Sequence, residues 1–134
     1  MRTPDPDCPC GSALAYADCC GRYHAGPQHL LAPSAEALMR SRYSAFVLGL
    51  HDYLLQTWHP STRPQSLAPD PPGHRWLGLQ VRGYRQLDAE HASVEFVARS
   101  KLGGRAHRLH ERSRFVREQD RWFYLDAGLN AQDS

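Results

Sequence analysis

Apolar residues return every three or four positions between residues 35 and 50, and every second position after residue 75. Ala35, Leu38, Met39, Tyr43, Phe46, Val47 and Leu50 make up the first set. That spacing predicts an amphipathic helix over 35–49, with Ser34 as its N-cap. Arg40, Arg42 and Ser44 break into the stripe. A second, shorter helix is expected near Asp52–Thr57, with Asp52 as an anion in its first turn. It ends at Trp58-His59-Pro60, because a proline disfavours helical geometry in the residue before it. Ser61–Gly73 contains four prolines and reads as a loop.

From about Arg75 the period becomes two. Trp76, Leu77, Leu79 and Val81 open a strand in which Gly83 marks a bulge. Ala92, Val94, Phe96 and Ala98 form the next alternating set, and Gly103-Gly104 is a two-residue hairpin signal. A third strand is expected from Arg105 to about Arg117, and Gln119-Asp120 turns into a fourth at Arg121–Asp126. Two helices followed by a four-stranded antiparallel meander make an α+β domain.

Composition narrows the function classes. A chain of 134 residues with 41% hydrophobic content suits one domain, or one domain with a small appendage. The net charge of +2 is too mild to demand a nucleic-acid partner. Lys101 is the only lysine, so every other basic side chain that stays charged at neutral pH is an arginine. MRTPDPD offers no apolar signal-peptide core, and no run approaches the roughly 20 apolar residues of a membrane span. A cytoplasmic location is therefore expected, where thiols stay reduced.

That matters because all four cysteines fall in CPCGSALAYADCC, at Cys8, Cys10, Cys19 and Cys20. The spacing C-x-C-x8-C-C suits one tetrahedral Zn2+ ion, with Gly11-Ser12 supplying a turn. Ser12 is expected to cap a short helical turn over Ala13–Asp18, and Gly21 to take positive φ as the chain leaves. A variant site uses His24 in place of Cys20. Two disulfides are a further alternative, disfavoured by a reducing compartment and by the strain of a Cys19–Cys20 bridge. A catalytic or redox thiol is the last, disfavoured by the lack of C-x-x-C. About twenty residues bury too little apolar surface to order themselves, so this lobe is expected to depend on its ion.

Cys8-Pro9-Cys10-Gly11-Ser12, Tyr16 and Cys19-Cys20-Gly21 resemble the SEC-C motif, named for the zinc-binding tail of the SecA translocase. Ala13-Leu14-Ala15 stand where that motif usually carries Gly-Lys-Lys. Together with AEALMRSRYSAF, TWHPSTRP, ERSRF and RWFYLD, the motif resembles the YchJ-type family of small bacterial proteins. The resemblance runs from Cys8 to about Gly128. It implies a nuclear-transport-factor-2-like cone over 34–129, with helices packed on a curved sheet, preceded by a zinc knuckle over 1–26. It implies a fold and a metal, and assigns no activity.

Cones of this kind can enclose a cavity. His107, Leu109, Glu111, Ser113 and Phe115 share one face of the third strand, and Trp122, Tyr124 and Asp126 one face of the fourth. With Arg42, Tyr43, Trp58 and His59 from the helices, they offer a carboxyl, an imidazole and a guanidinium for one concave site. The candidate pocket is Arg42, Tyr43, His59, Glu111 and Tyr124. Against it stand plainer roles: a buried Arg42–Glu111 ion pair, His59 as a helix-ending donor, and Trp122 and Tyr124 as core aromatics. Asp126 is expected to fix the turn into Ala127-Gly128.

No nucleophilic triad, paired carboxylates or phosphate-binding loop is visible, so a binding role is expected over an enzymatic one. The leading expectation is a zinc-dependent module that recognises a protein or ribonucleoprotein partner. The alternative is a small-molecule or enzymatic site in the cone. A third is direct RNA binding through Arg108, His110, Arg112 and Arg114, which line the other face of the third strand.

Overall fold

The computed structural model describes residues 7–128. A 3-10 turn at Tyr16–Asp18 and a one-turn helix α1 (Gly21–His24) form the knuckle. Helices α2 (Ala35–Leu48) and α3 (His51–Gln56) follow, then strands β1 (Arg75–Asp88), β2 (His91–Leu102), β3 (Arg105–Glu118) and β4 (Arg121–Asp126). The strands make one antiparallel sheet in the order β1-β2-β3-β4. Among the described residues, no helix is long and apolar enough to cross a membrane.

Helix α2 starts where its sequence says. The Ser34 hydroxyl accepts the Ala37 N–H at 3.1 Å, and Gly49 closes the helix at φ +72°, a conformation costly for side chains bearing a Cβ. The polar residues within its stripe have a physical reason: the helix is buried on two sides. Met39, Arg42, Tyr43 and Phe46 face the sheet across a cavity. Ser41 and Ser44 are fully buried on the side of the knuckle and α3, where the Ser41 hydroxyl meets Tyr53 Oη at 2.7 Å and donates to Leu38 O at 2.7 Å. A helix packed on one face only would not place serines there.

The hairpin readings hold. Gly103 and Gly104 have φ +60° and +78°, and Gln119 and Asp120 have φ +53° and +64°. These are the left-handed values that two-residue hairpins need. The pairing of β1 with β2 slips at Val81/Gly83, as Gly83 predicts, and again at Trp76/Gly78 and Gln86/Asp88. Each slip bends the edge strand and increases its twist.

After α3 the chain joins the opposite edge of the sheet. Tyr124 N–H donates to Thr57 O at 2.8 Å and His59 N–H to Tyr124 O at 2.8 Å, a short parallel bridge between Trp58 and Tyr124. This bridge fixes Trp58 beside β4 and so closes one wall of the cavity.

The knuckle is not a separate lobe in space. Its four cysteines belong to the same buried cluster as Leu38, Met39 and Tyr43. Two sequence expectations need correcting here. Ser12 caps no helix: the 3-10 turn starts at Tyr16, its N-cap Ala15 offers no side chain, and Ala13 sits at φ +70°. Gly21 does not take positive φ; Gly11 and Gly26, at +83° and +89°, do. Gly21 is small for another reason, since a Cβ there would lie 2.8 Å from Tyr16 O.

Candidate functional site

The knuckle's turns bring all four thiols to one point. The Sγ atoms of Cys8, Cys10, Cys19 and Cys20 lie within 4.8 Å of one another, and all four residues are buried. They are free thiols, with no bridge among them. Four sulfurs in that arrangement are a donor set for a metal ion. The hydrogen bond shared with Cys20 favours the thiolate at Cys10 and correspondingly pushes Cys20 up. Burial pushes Cys19 up as well. Protons held on these sulfurs leave when a dication enters.

Polar groups from outside the motif surround the thiols. Ser12 Oγ lies 3.1 Å from Cys19 Sγ, and Ser44 Oγ 3.4 Å from Cys8 Sγ. Arg40 donates from Nη1 to Cys10 O at 3.1 Å, and that nitrogen is 4.0 Å from Cys10 Sγ. Its Nε is held by Glu36 at 3.1 Å. A guanidinium here places positive charge beside the gathered sulfurs.

His24 does not complete the set. Its Nδ1 meets Tyr16 Oη at 2.6 Å and its Nε2 meets Ser41 O at 2.8 Å, so both ring nitrogens are engaged elsewhere. Burial lowers its pKa. The imidazole is a neutral linker between the knuckle and α2, and the sulfur gathered with the other three is that of Cys20.

The second candidate site is a cavity of about 290 Å³ between α2 and the inner face of the sheet. Along β3 its wall runs from Leu109, which is 37% exposed, through Glu111 to the buried Ser113 and Phe115. The mouth therefore lies near Leu109 and the floor near Phe115. Of the candidate pocket residues, Arg42, Tyr43, Glu111 and Tyr124 line it.

Two details differ from the sequence reading. Arg42 and Glu111 form no ion pair within 4.0 Å. Arg42 Nη1 donates instead to Leu54 O at 2.8 Å and Thr57 Oγ1 at 2.7 Å. Its guanidinium carbon lies 4.5 Å from the Tyr124 ring centroid and 5.2 Å from that of Trp58. Burial pulls the Arg42 pKa down to about 10. Glu111 accepts the Ser113 hydroxyl at 3.0 Å. Burial, and after it the Glu111 charge, push Tyr124 up to about 12.

His59 is the other difference, because it lies outside the cavity. The parallel bridge to β4 turns its ring toward Phe123, with Nε2 3.0 Å from Glu118 Oε2 and Nδ1 2.7 Å from Ser61 Oγ.

Comparison with known proteins agrees with this architecture. Residues 34–127 match the family described as "YchJ, middle NTF2-like domain", and residues 7–22 match the SEC-C motif. The chain belongs to the YchJ family. A UPF0225 protein of Bordetella pertussis is 62% identical over 122 residues, covering 91% of this chain and 92% of that one. One from Methylibium petroleiphilum is 65% identical over 123 residues, covering 92% and 88%. The solution structure of a SEC-C motif containing protein from Rhodopseudomonas palustris superposes with a TM-score of 0.79 at 36% identity, covering 90% of this chain and 96% of that one. A crystal structure of a SEC-C motif containing protein from Psychrobacter arcticus gives 0.75 at 32%, covering 96% and 84%.

In this YchJ-family chain several site residues escaped sequence reasoning. Arg40 and Ser44 stand one helical turn apart on α2, and that i,i+4 spacing within an apolar stripe was the available signal. Trp58, named from the sequence among the residues of the concave site, lines the cavity and carries a buried Nε1–H with no acceptor. The basic strip on the sheet's outer face is partly neutralised: Glu95 lies 2.6 Å from His110 and 3.5 Å from Arg112, and Asp126 binds Arg114 through both oxygens at 2.8 and 2.5 Å. Asp126 also accepts Gly128 N–H at 2.8 Å, fixing the turn expected of it.

Proposed function

We propose that the chain is a zinc protein whose Cys8, Cys10, Cys19 and Cys20 thiolates close a structural Zn2+ site, clamping the knuckle to the cone as a partner-recognition module. The observation that carries this is four buried sulfurs around one point. Zinc–thiolate bonds of about 2.3 Å put tetrahedral sulfurs about 3.8 Å apart. The Cys10–Cys19 separation is 3.6 Å. With all four corners from protein, no position is left for substrate or water, so the ion's work is architectural. Stabilisation from one such ion is on the order of 10 kcal/mol. A reducing, cytoplasmic setting belongs to this reading, since it keeps the thiols available.

A buried ion leaves the outer surface of the knuckle for contact with a protein or ribonucleoprotein. Leu14, in place of a cation of the motif, is 51% exposed. Tyr16, Ala17, Arg22, Ala25 and Pro27 line a shallow groove nearby. Metal content tests the first half: one zinc per chain in wild type, and loss of zinc in Cys19→Ser. Leu14→Glu tests the second, because it leaves the thiols intact. Retained zinc with a reduced set of captured partners supports recognition through the knuckle, and an unchanged set counts against it.

The cavity favours a second reading, a small-molecule site in the cone. It is enclosed by the predicted residues Arg42, Tyr43, Glu111 and Tyr124, and its walls are mostly aromatic.

A further inference from the structure

The deep end of the cavity is rich in donors and poor in acceptors. Arg42 is 6% exposed and has no carboxylate within ion-pair distance among the described residues. Only its Nη1 is committed to protein acceptors. Trp58 Nε1–H is buried with no acceptor. The Trp58 and Tyr124 rings meet edge to face with centroids 5.0 Å apart, and Arg42 lies against both. A buried guanidinium with one edge uncommitted favours an anionic acceptor beside it.

The rest of the cavity fixes the shape of what could meet it. Phe46, Trp76, Phe96 and Phe115 supply flat apolar walls, which suit an aromatic ring. A volume of about 290 Å³ admits one ring or a fused pair. Glu111 stands along the wall between the exposed Leu109 and the buried Ser113, and it is not within 4.0 Å of Arg42. There it offers an acceptor to a ring hydroxyl and does not neutralise the guanidinium.

We propose that the cavity binds a small aromatic carboxylate, its carboxylate held by the uncommitted edge of Arg42 and its ring sandwiched between α2 and the sheet. Resting on the reading of the cavity as a ligand site, this inference adds the ligand's class. A ligand carboxylate would accept a charge-assisted hydrogen bond from the free edge of Arg42. Glu111 then selects for a hydroxyl on the ring and against a second anionic group.

The zinc-loaded protein is titrated with 4-hydroxybenzoate, 4-hydroxybenzamide and tyramine, followed by amide NMR shifts and by Trp fluorescence. The expected result is saturable binding of 4-hydroxybenzoate below about 1 mM, at least ~10-fold tighter than the other two compounds. Arg42→Met should abolish the preference for the carboxylate while leaving weak ring binding. Ala98→Leu pushes three more carbons into the space between α2 and the sheet and should weaken binding of all three compounds with zinc content unchanged. If none of the three binds, or if Ala98→Leu leaves binding intact, the ligand-site reading falls and the class with it. If the ring compounds bind alike, or tyramine binds tightest, the site stands and the carboxylate class is overturned.

Discussion

Replacing Arg42 with methionine should leave the fold within about 1 kcal/mol of wild type, although it deletes a buried charge and two hydrogen bonds. The guanidinium is held by Leu54 O and Thr57 Oγ1 and lies against Trp58 and Tyr124. Burial lowers its pKa from 12.5 to about 10, which corresponds to a cost of about 3 kcal/mol for keeping the charged form in the folded state. Against this stand hydrogen bonds and cation–π contacts that together contribute about the same amount. Methionine keeps most of the volume, and it does not strand the acceptors. Thr57 Oγ1 donates to Tyr53 O at 2.8 Å and lies 3.3 Å from Leu54 O. Urea denaturation at pH 7 with zinc in excess measures the difference. A loss above about 3 kcal/mol in Arg42→Met would instead make the guanidinium a net stabiliser, contrary to this balance. The pH dependence has a definite sign. Below pH 10 the penalty is fully present, and between about 10 and 12.5 the folded chain loses the proton first. Wild type should therefore gain stability relative to Arg42→Met as pH rises through that window.

Two further predictions follow from the knuckle. Gly21→Ala places a Cβ 2.8 Å from Tyr16 O and 2.9 Å from the Tyr16 ring, so it should cost about 1–3 kcal/mol and weaken zinc retention against a chelator, measured by thermal melts and zinc release. His24 has its pKa lowered by burial, so as pH falls below 6.5 the unfolded chain takes up a proton that folded His24 resists. Stability of wild type relative to His24→Gln, read from urea midpoints between pH 7 and 5, should fall over that range; a flat difference would count against a buried neutral imidazole.

Local pattern was a good guide wherever a residue's role depends on its own element. The Ser34 cap, the Gly103-Gly104 hairpin, the Gly83 bulge and the convergence of four cysteines over thirteen residues are all set by nearby chain, and all appear in the structure. The misses depend on what comes from across the fold. His59 and Trp58 are neighbours in sequence, yet the bridge to Tyr124 sends Trp58 to the cavity and His59 to Glu118. Periodicity places Arg42 and Glu111 on facing surfaces but does not give their separation, and Arg42 finds acceptors on α3 and in the turn after it. Arg40 and Ser44 looked like interruptions because a one-sided helix was assumed. With the knuckle packed on the far side, they become neighbours of the thiols.

One zinc ion on four cysteine thiolates, joining the knuckle to the cone as proposed, has a direct spectroscopic signature. X-ray absorption at the zinc edge on purified protein, with metal content determined on the same sample, tests it most directly. One zinc per chain and a shell of four sulfurs at about 2.3 Å, with no nitrogen or oxygen, are expected. A shell of three sulfurs and one nitrogen, or protein fully folded with no bound metal, would contradict it.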